Sequence, residues 1–341
     1  VLDRRGRIMS YFVTIRNGGR EHLDIVRQGN EDVIRARYAD AEFFYNQDCR
    51  RHLESFREDL AKLTFQADLG SMLDKTERLE ALAPWVGRRL GLSPLELESL
   101  ARAAHLAKAD LATNMVVEMT SLQGIMGREY ARRSGESPVV AEAIFEHHLP
   151  RHAGDRLPES APGIALALAD RADSLVGLFA VGMAPTGSSD PYGLRRAASG
   201  VVQTLLANDL SLSLSELFDR VGQILDVTVD EETRDAVTAF VVDRLRVQLR
   251  DAGLPYDVVE AALAVQGDNP TRARQAVEQL SAWVKREDWP LLLDNYSRCV
   301  RITRDQPDYG LDPSDLVEEE SLALYEALSG VEAQVDATAD V

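Results

Sequence analysis

Cysteine is almost missing from this 341-residue sequence: Cys49 and Cys299 are its only two. They lie too far apart to suggest a disulfide framework and form no Cys-x-x-Cys metal pattern, so reduced thiols in a cytoplasmic setting are expected and redox chemistry is not. Long apolar runs are missing as well. The stretch from Ile164 to Leu168 is short, whereas a bilayer span needs roughly 18 residues, so no membrane partner is expected. The opening VLDRRGR carries no apolar segment or small-residue cleavage site, and it reads as a chain entered mid-fold. Catalytic signatures are equally scarce. There is no Gly-x-Ser-x-Gly elbow, no Walker loop and no dinucleotide-binding glycine motif, and neither cysteine has a histidine and asparagine in a nucleophile pattern.

The sequence is rich in apolar residues and in acid. With 45% hydrophobic residues, a chain of this length can bury a sizeable core in two or three structural units. The formal charge is -18, but residues 305–341 hold 11 acidic side chains and no Lys or Arg, which leaves -7 for the first 304. Arginines in that larger part come in groups: Arg35 and Arg37, Arg50 and Arg51, Arg128 with Arg132 and Arg133, Arg195 and Arg196, then Arg298, Arg301 and Arg304. Local basic faces for phosphate are therefore compatible with an acidic whole. Taken singly, most such groups are ordinary solvated helix faces.

Apart from one segment, the periodicity is helical. Ile8 to Ile15, running into Asn17-Gly18-Gly19, reads as a strand and tight turn whose partner strands would lie outside the sequence or in another chain. From Glu31 to Leu63 the apolar positions Val33, Ile34, Tyr38, Ala41, Phe44, Tyr45, Leu53, Phe56, Leu60 and Leu63 follow a helical rhythm. Further helices are expected over 75–90, 94–114, 124–133, 138–146, 163–181 and 191–206, each bounded by Gly, Pro or Ser. Ser189-Asp190-Pro191 is a start signal for the last of these. A second helical section begins near Leu214, with helices over 234–252, 257–264, 271–286 and 290–304. The final dozen residues are small and polar enough to be loose. The expected fold is mainly α and multi-helical, with a short N-terminal β segment. Met115, Met119 and Met126 read as core.

Four of the six histidines, His105, His147, His148 and His152, share a stretch with Asp110, Asp155, Asp170 and Asp173. Imidazole and carboxylate together could hold a divalent metal that activates water for phosphate-ester cleavage. The spacing counts against this, because adjacent His147 and His148 would point about 100° apart on a helix. The arrangement resembles, in degenerate form, the helical His-Asp phosphohydrolase superfamily. Lys75 stands at or near the first ligand position, and Lys108-Ala109-Asp110 stands where a His-Asp pair is expected. Ammonium and methyl groups in place of neutral nitrogen donors remove coordination and repel a cation. The alternative function, a divergent metal-dependent phosphohydrolase acting on nucleotides or RNA ends, would use His147, His148, Asp110 and Asp170.

Longer strings carry a more specific resemblance. GNEDVIRARYADAEFFYNQD from Gly29, KLTFQADLGSMLDKTERLEALA from Lys62, KADLATNMVVEMTSLQGIMGREYA from Lys108 and PTGSSDPYGLRRAASGV from Pro185 resemble the beta subunit of bacterial glycyl-tRNA synthetase, in order and over nearly the whole chain. FVVDRLRVQLRDAGLPYDVVEAAL extends the match.

The resemblance implies a noncatalytic tRNA-binding part of a glycine-tRNA ligase. No cofactor is implied in this chain; ATP and Mg belong to a separate alpha subunit, and two alpha and two beta subunits make the full enzyme. The expected bounds are the end of an N-terminal domain over 1–30, a connecting helix over 31–59, a degenerate His-Asp-like helical domain over 60–212 and a helical linker over 213–286. A partial anticodon-binding-like region over 287–330, opened by LLLDNYSRCVRITR and lacking its closing helix, and a flexible acidic tail over 331–341 complete the series. Candidate tRNA contacts are Lys75, Lys108, Arg128, Arg195, Arg196, Arg298 and Arg301, with no catalytic or metal residue. For Lys75 and Lys108 both phosphate contact and plain structural drift stay open. Of Arg195 and Arg196, one is expected to face RNA and the other an internal carboxylate.

Overall fold

The computed structural model describes residues 1–304, 307 and 311–339, with side chains through residue 332. It divides into two compact units, Val1–Ser281 and Ala282–Val341. The first unit opens with α1 (Leu23–Asp48), two short 3-10 turns (Leu53–Phe56 and Glu58–Lys62) and a two-stranded antiparallel ribbon of β1 (Thr64–Gln66) and β2 (Gly70–Ser71). There follow α2 (Met72–Arg89), α3 (Pro94–Leu106), a 3-10 turn (Ala109–Ala112), α4 (Asn114–Glu118), α5 (Ile125–Arg133) and α6 (Pro138–Glu146). Then come α7 (Ala161–Ala180), α8 (Leu194–Ala207), α9 (Leu214–Gly222), α10 (Glu231–Asp251), α11 (Tyr256–Gln266) and α12 (Pro270–Trp283). In the second unit lie α13 (Trp289–Thr303) and α14 (Glu319–Ala339). The protein is mainly α, as its periodicity predicts.

Helix α7 is the axis of the first unit. Its sequence APGIALALADRADSLVGLFA is apolar nearly all round, which suits a helix packed on every side. Accordingly it contacts α2, α3, α6, α8, α9 and α10, and Ile164 to Ala169, Ala172, Leu175, Val176 and Leu178 are buried. Its start is fixed twice over. Ser160 caps the amide of Gly163, and Glu146 at the end of α6 accepts from the Ser160 amide and hydroxyl. The start of α2 is fixed by a reciprocal cap in which Ser71 accepts from the Asp74 amide and Asp74 accepts from the Ser71 amide, satisfying two donors at that end.

Five sequence expectations need correction, the first being the helix read over 94–114, which stops at Leu106 and is followed by the 3-10 turn Ala109–Ala112. Residues 8–15 form no strand: only an isolated bridge joins Leu2 to Ile8, and Ile8, Tyr11, Val13 and Ile15 are exposed. A strand needs a neighbour for its backbone N–H and C=O groups, and no described segment supplies one. The helix read over 31–63 starts eight residues earlier and stops at Asp48, because the Asp48 carboxylate turns inward to accept from the amides of Asn114 and Met115 and from the Tyr130 hydroxyl. The helix read over 191–206 begins at Leu194, after Gly193 in a left-handed conformation; Asp190 still caps it, accepting from the amides of Leu194 and Arg195. Finally, α14 continues to Ala339, through most of the segment read as loose.

Candidate functional site

Three helix ends converge on the middle of α7. Lys75 and Arg78, one turn apart near the start of α2, reach the face of α7 that carries Asp170, Asp173 and Ser174. Lys108 follows the end of α3, and His147 closes α6. These residues form a buried charge network. Lys75 Nζ donates to Asp173 Oδ2 at 2.7 Å and to Ser174 Oγ at 2.9 Å, and lies 3.2 Å from Asp170 Oδ1. Arg78 Nε donates to Asp173 Oδ1 at 2.6 Å. Lys108 Nζ lies 2.9 Å from both Asp170 Oδ2 and His147 Nε2. His147 Nδ1 meets the Ile144 carbonyl at 2.6 Å, so the proton of the neutral ring belongs on Nδ1 and Nε2 is left to accept from Lys108.

The electrostatics follow from burial and pairing. Burial alone would raise the Asp170 carboxyl, but the Lys108 and Lys75 charges beside it hold it well below the ordinary carboxylate range. Burial opposes the Lys75 ammonium, yet Asp170 and Asp173 raise its pKa above the usual value. Lys108 goes the other way: burial dominates and lowers it. Burial and the neighbouring Lys108 charge drive His147 well below 6.5, and burial, His147 and Lys108 do the same to His148. These directions agree with one stable assignment, two ammonium groups and a guanidinium against two carboxylates with neutral imidazoles.

The donor set does not suit a metal ion. The Lys108 ammonium sits between the Asp170 oxygen and the His147 nitrogen that would otherwise be ligands. Asp110 lies elsewhere in role: its Oδ2 accepts from the amides of Gly124 at 2.6 Å and Gly127 at 3.0 Å, capping α5, while burial pushes its pKa up to about 6. Among the described residues, no three His, Cys, Asp or Glu side chains are grouped so as to hold a metal. His147 and His148 do not diverge as helix neighbours would. They follow the last residue of α6, and their ring centroids are 3.8 Å apart. His105 is on the surface of α3, between Glu80 and Glu54.

A cavity of about 940 Å³ opens beside this network, lined among others by Lys75, Lys108, His148, Asp170, Arg171 and Arg196. Lys75 and Lys108 are each 3% exposed and form its floor. Arg195 donates to the Gly187 carbonyl, not to a carboxylate, and Arg196 is exposed. Arg128 belongs to a neighbouring basic surface, where Arg128, Arg132 and Arg156 all pair with Glu142 at 3.0, 3.2 and 3.4 Å. Arg128 and Arg156 also cover the Phe145 ring, 4.3 and 4.8 Å from its centroid. Arg298 and Arg301, in the second unit, are exposed on α13, one paired with Asp294 and the other bonded to the Ser297 carbonyl.

Arg171, Arg151 and Arg156 escape the sequence reading. The one signal for Arg171 is its place beside two aspartates inside an otherwise apolar helix, a pattern that implies a buried ionic network.

Comparison with known proteins identifies the family. The model of the family described as glycyl-tRNA synthetase beta subunit matches residues 1–264. The glycine-tRNA ligase beta subunit of Desulforudis audaxviator is 43% identical over 344 residues, covering 99% of this chain and 49% of the relative. That of Syntrophomonas wolfei is 41% identical over 339 residues (98% and 49%), and that of Clostridioides difficile (strain 630) is 38% identical over 335 residues (98% and 48%). The chain spans about half the length of the curated relatives it matches. On this family match and on relatives aligned along nearly all of its length, the chain belongs to the glycyl-tRNA synthetase beta subunit family.

Proposed function

We propose that this chain is a noncatalytic, tRNA-holding part of glycyl-tRNA synthetase, supporting attachment of glycine to its tRNA while ATP and Mg are used on a separate alpha subunit, in a cytoplasmic assembly of two alpha and two beta subunits. The observation that carries this reading is the gathering of Arg128, Arg132 and Arg156 on the single carboxylate of Glu142, which leaves excess positive charge on an otherwise acidic protein. Such a surface suits phosphate backbone, whose binding is dominated by Lys and Arg. The buried network offers no convergent nucleophile, base or electrophile, and holding an acceptor end in place can itself lower a transfer barrier. Within this reading Arg128, Arg195 and Arg196 are the leading contacts, and Arg298 and Arg301 serve a separate stretch of RNA. Lys75 and Lys108 act from beneath, shaping the cavity floor.

Glycine tRNA titrated with the chain at roughly 50 and 200 mM salt tests the proposal. Affinity falls steeply with salt, Arg128→Glu, Arg195→Glu and Arg196→Glu each weaken it and flatten the salt dependence, and aminoacylation requires the alpha subunit. Absent or salt-independent binding contradicts the reading.

A further inference from the structure

Two guanidinium groups on the cavity wall lack a carboxylate. Arg171 is 8% exposed and donates only to backbone carbonyls, those of His147, Leu149 and Ala167. Among the described residues, neither Arg171 nor Arg196 has an ion-pair partner. A buried cation whose hydrogen bonds all go to neutral dipoles is costly, and for Arg171 the nearby but unbonded Asp170 carboxylate, already shared by Lys75 and Lys108, offsets only part of that cost. The other lining cations are Lys75, Lys108 and Arg151, and the carboxylates that pair with them are Asp170, Asp173 and Asp155. Five cations thus face three carboxylates, one of which, Asp173, is shared with Arg78. His148 Nε2, also on the wall, is buried without a hydrogen-bond partner. Lys108 has one N–H left after Asp170 and His147 take two.

We propose that this cavity is a metal-free site for a phosphate monoester, with Arg196 and Lys108 facing the phosphate, the His148 ring beside them on the wall, and Arg171 supplying charge from behind. The excess of positive charge, two from the lining residues alone and more with Arg78 counted, suits a phosphate dianion. A floor closed by buried side chains admits a terminal group and not a strand passing through. Tyr192, 40% exposed at the cavity, provides a ring on which an attached nucleobase can stack. Two sources present this chemistry: a free 5′-mononucleotide and the 5′-phosphorylated end of an RNA strand. The inference does not rest on tRNA binding at the Arg128 surface; Arg196 is common to the two readings, so Arg128→Glu, which should weaken tRNA and leave mononucleotide binding unchanged, tells their failures apart.

Calorimetry on the full chain, in chelator, with inorganic phosphate, adenosine 5′-monophosphate and a short RNA carrying either a 5′-phosphate or a 5′-hydroxyl provides the test. Saturable one-to-one binding of the mononucleotide is expected, displaced by inorganic phosphate, weakened about tenfold by Tyr192→Ala and at least about tenfold by Arg196→Ala. A phosphorylated oligonucleotide that outcompetes its hydroxyl twin identifies an RNA end as the source; equal behaviour of the twins with mononucleotide binding intact identifies the free nucleotide. No binding of any phosphate ligand at millimolar concentration, or binding indifferent to Arg196→Ala in a folded variant, overturns the proposal.

Discussion

Lys108 Nζ stands 2.9 Å from Asp170 Oδ2 and thereby joins the end of α3 to the middle of α7. The same ammonium meets His147 Nε2, so one cation on the cavity floor, only 3% exposed, ties three helices. A buried pair of this kind contributes little net stability compared with a well-packed apolar pair, but removing one partner is severe, because the other charge is left without compensation.

The imidazole at this junction makes stability depend on pH. Folded His147 has a pKa well below 6.5, first from burial and then from Lys108, so it stays neutral while the unfolded chain takes up a proton. Stability is therefore full above about pH 6.5 and falls on acidification, with a limiting slope of about 1.4 kcal/mol per pH unit for each such histidine. Asp110 acts with the opposite sign. Its pKa is raised from 3.8 to about 6, so its contribution is lost as pH rises through that window. Urea midpoints taken from about pH 5 to about pH 7 should show a shallower slope for His147→Gln and a steeper one for Asp110→Asn.

Asp48 anchors α1. Its carboxylate accepts from the Asn114 and Met115 amides at 3.0 Å each and from the Tyr130 hydroxyl at 2.9 Å. Asp48→Ala orphans these donors and costs about 2 to 4 kcal/mol. Hydrogen exchange reports the loss directly: the amides of residues 114 and 115 become unprotected, while those of α7 change only with global stability.

Gly200 provides a contest between two effects. Helix propensity favours alanine over glycine by about 1 kcal/mol. A Cβ at 200, however, would sit 2.5 Å from Arg171 Nε, on a side chain pinned by three carbonyls. The collision dominates, and Gly200→Ala lowers stability by about 1 to 3 kcal/mol in thermal unfolding. A gain in stability would show that Arg171 is free to move.

Much of the helical architecture is legible in the sequence because apolar spacing and capping residues act locally. Pro138 to Glu146 is read to the residue, since Ser137 caps it and Pro138 suits its first position. The N-terminal segment misleads because a strand depends on a neighbour, and the run from Ile8 to Ile15 with its Asn17-Gly18-Gly19 turn says nothing of one. The helix over 31–63 is overrun because the side chain that ends it, Asp48, finds its partners 66 to 82 residues later. The candidate site divides in the same way. Lys75, Lys108, His147 and Asp170 all stand out in the sequence as part of a degenerate ligand set, but their mutual neutralisation is a tertiary fact. Arg171 is hidden because its partners are backbone carbonyls, which carry no residue signature.

The account turns on the Lys108 ammonium acting in place of a metal at the junction of α3, α6 and α7. A double-mutant cycle of Lys108→Met and Asp170→Asn, followed by urea unfolding with and without chelator, measures this directly. Lys108→Met alone should cost about 3 to 5 kcal/mol, and the double variant should recover at least about 2 kcal/mol of the summed losses, with no effect of chelator. Additive losses, or a midpoint of the unsubstituted chain that drops when chelator is added, would contradict it.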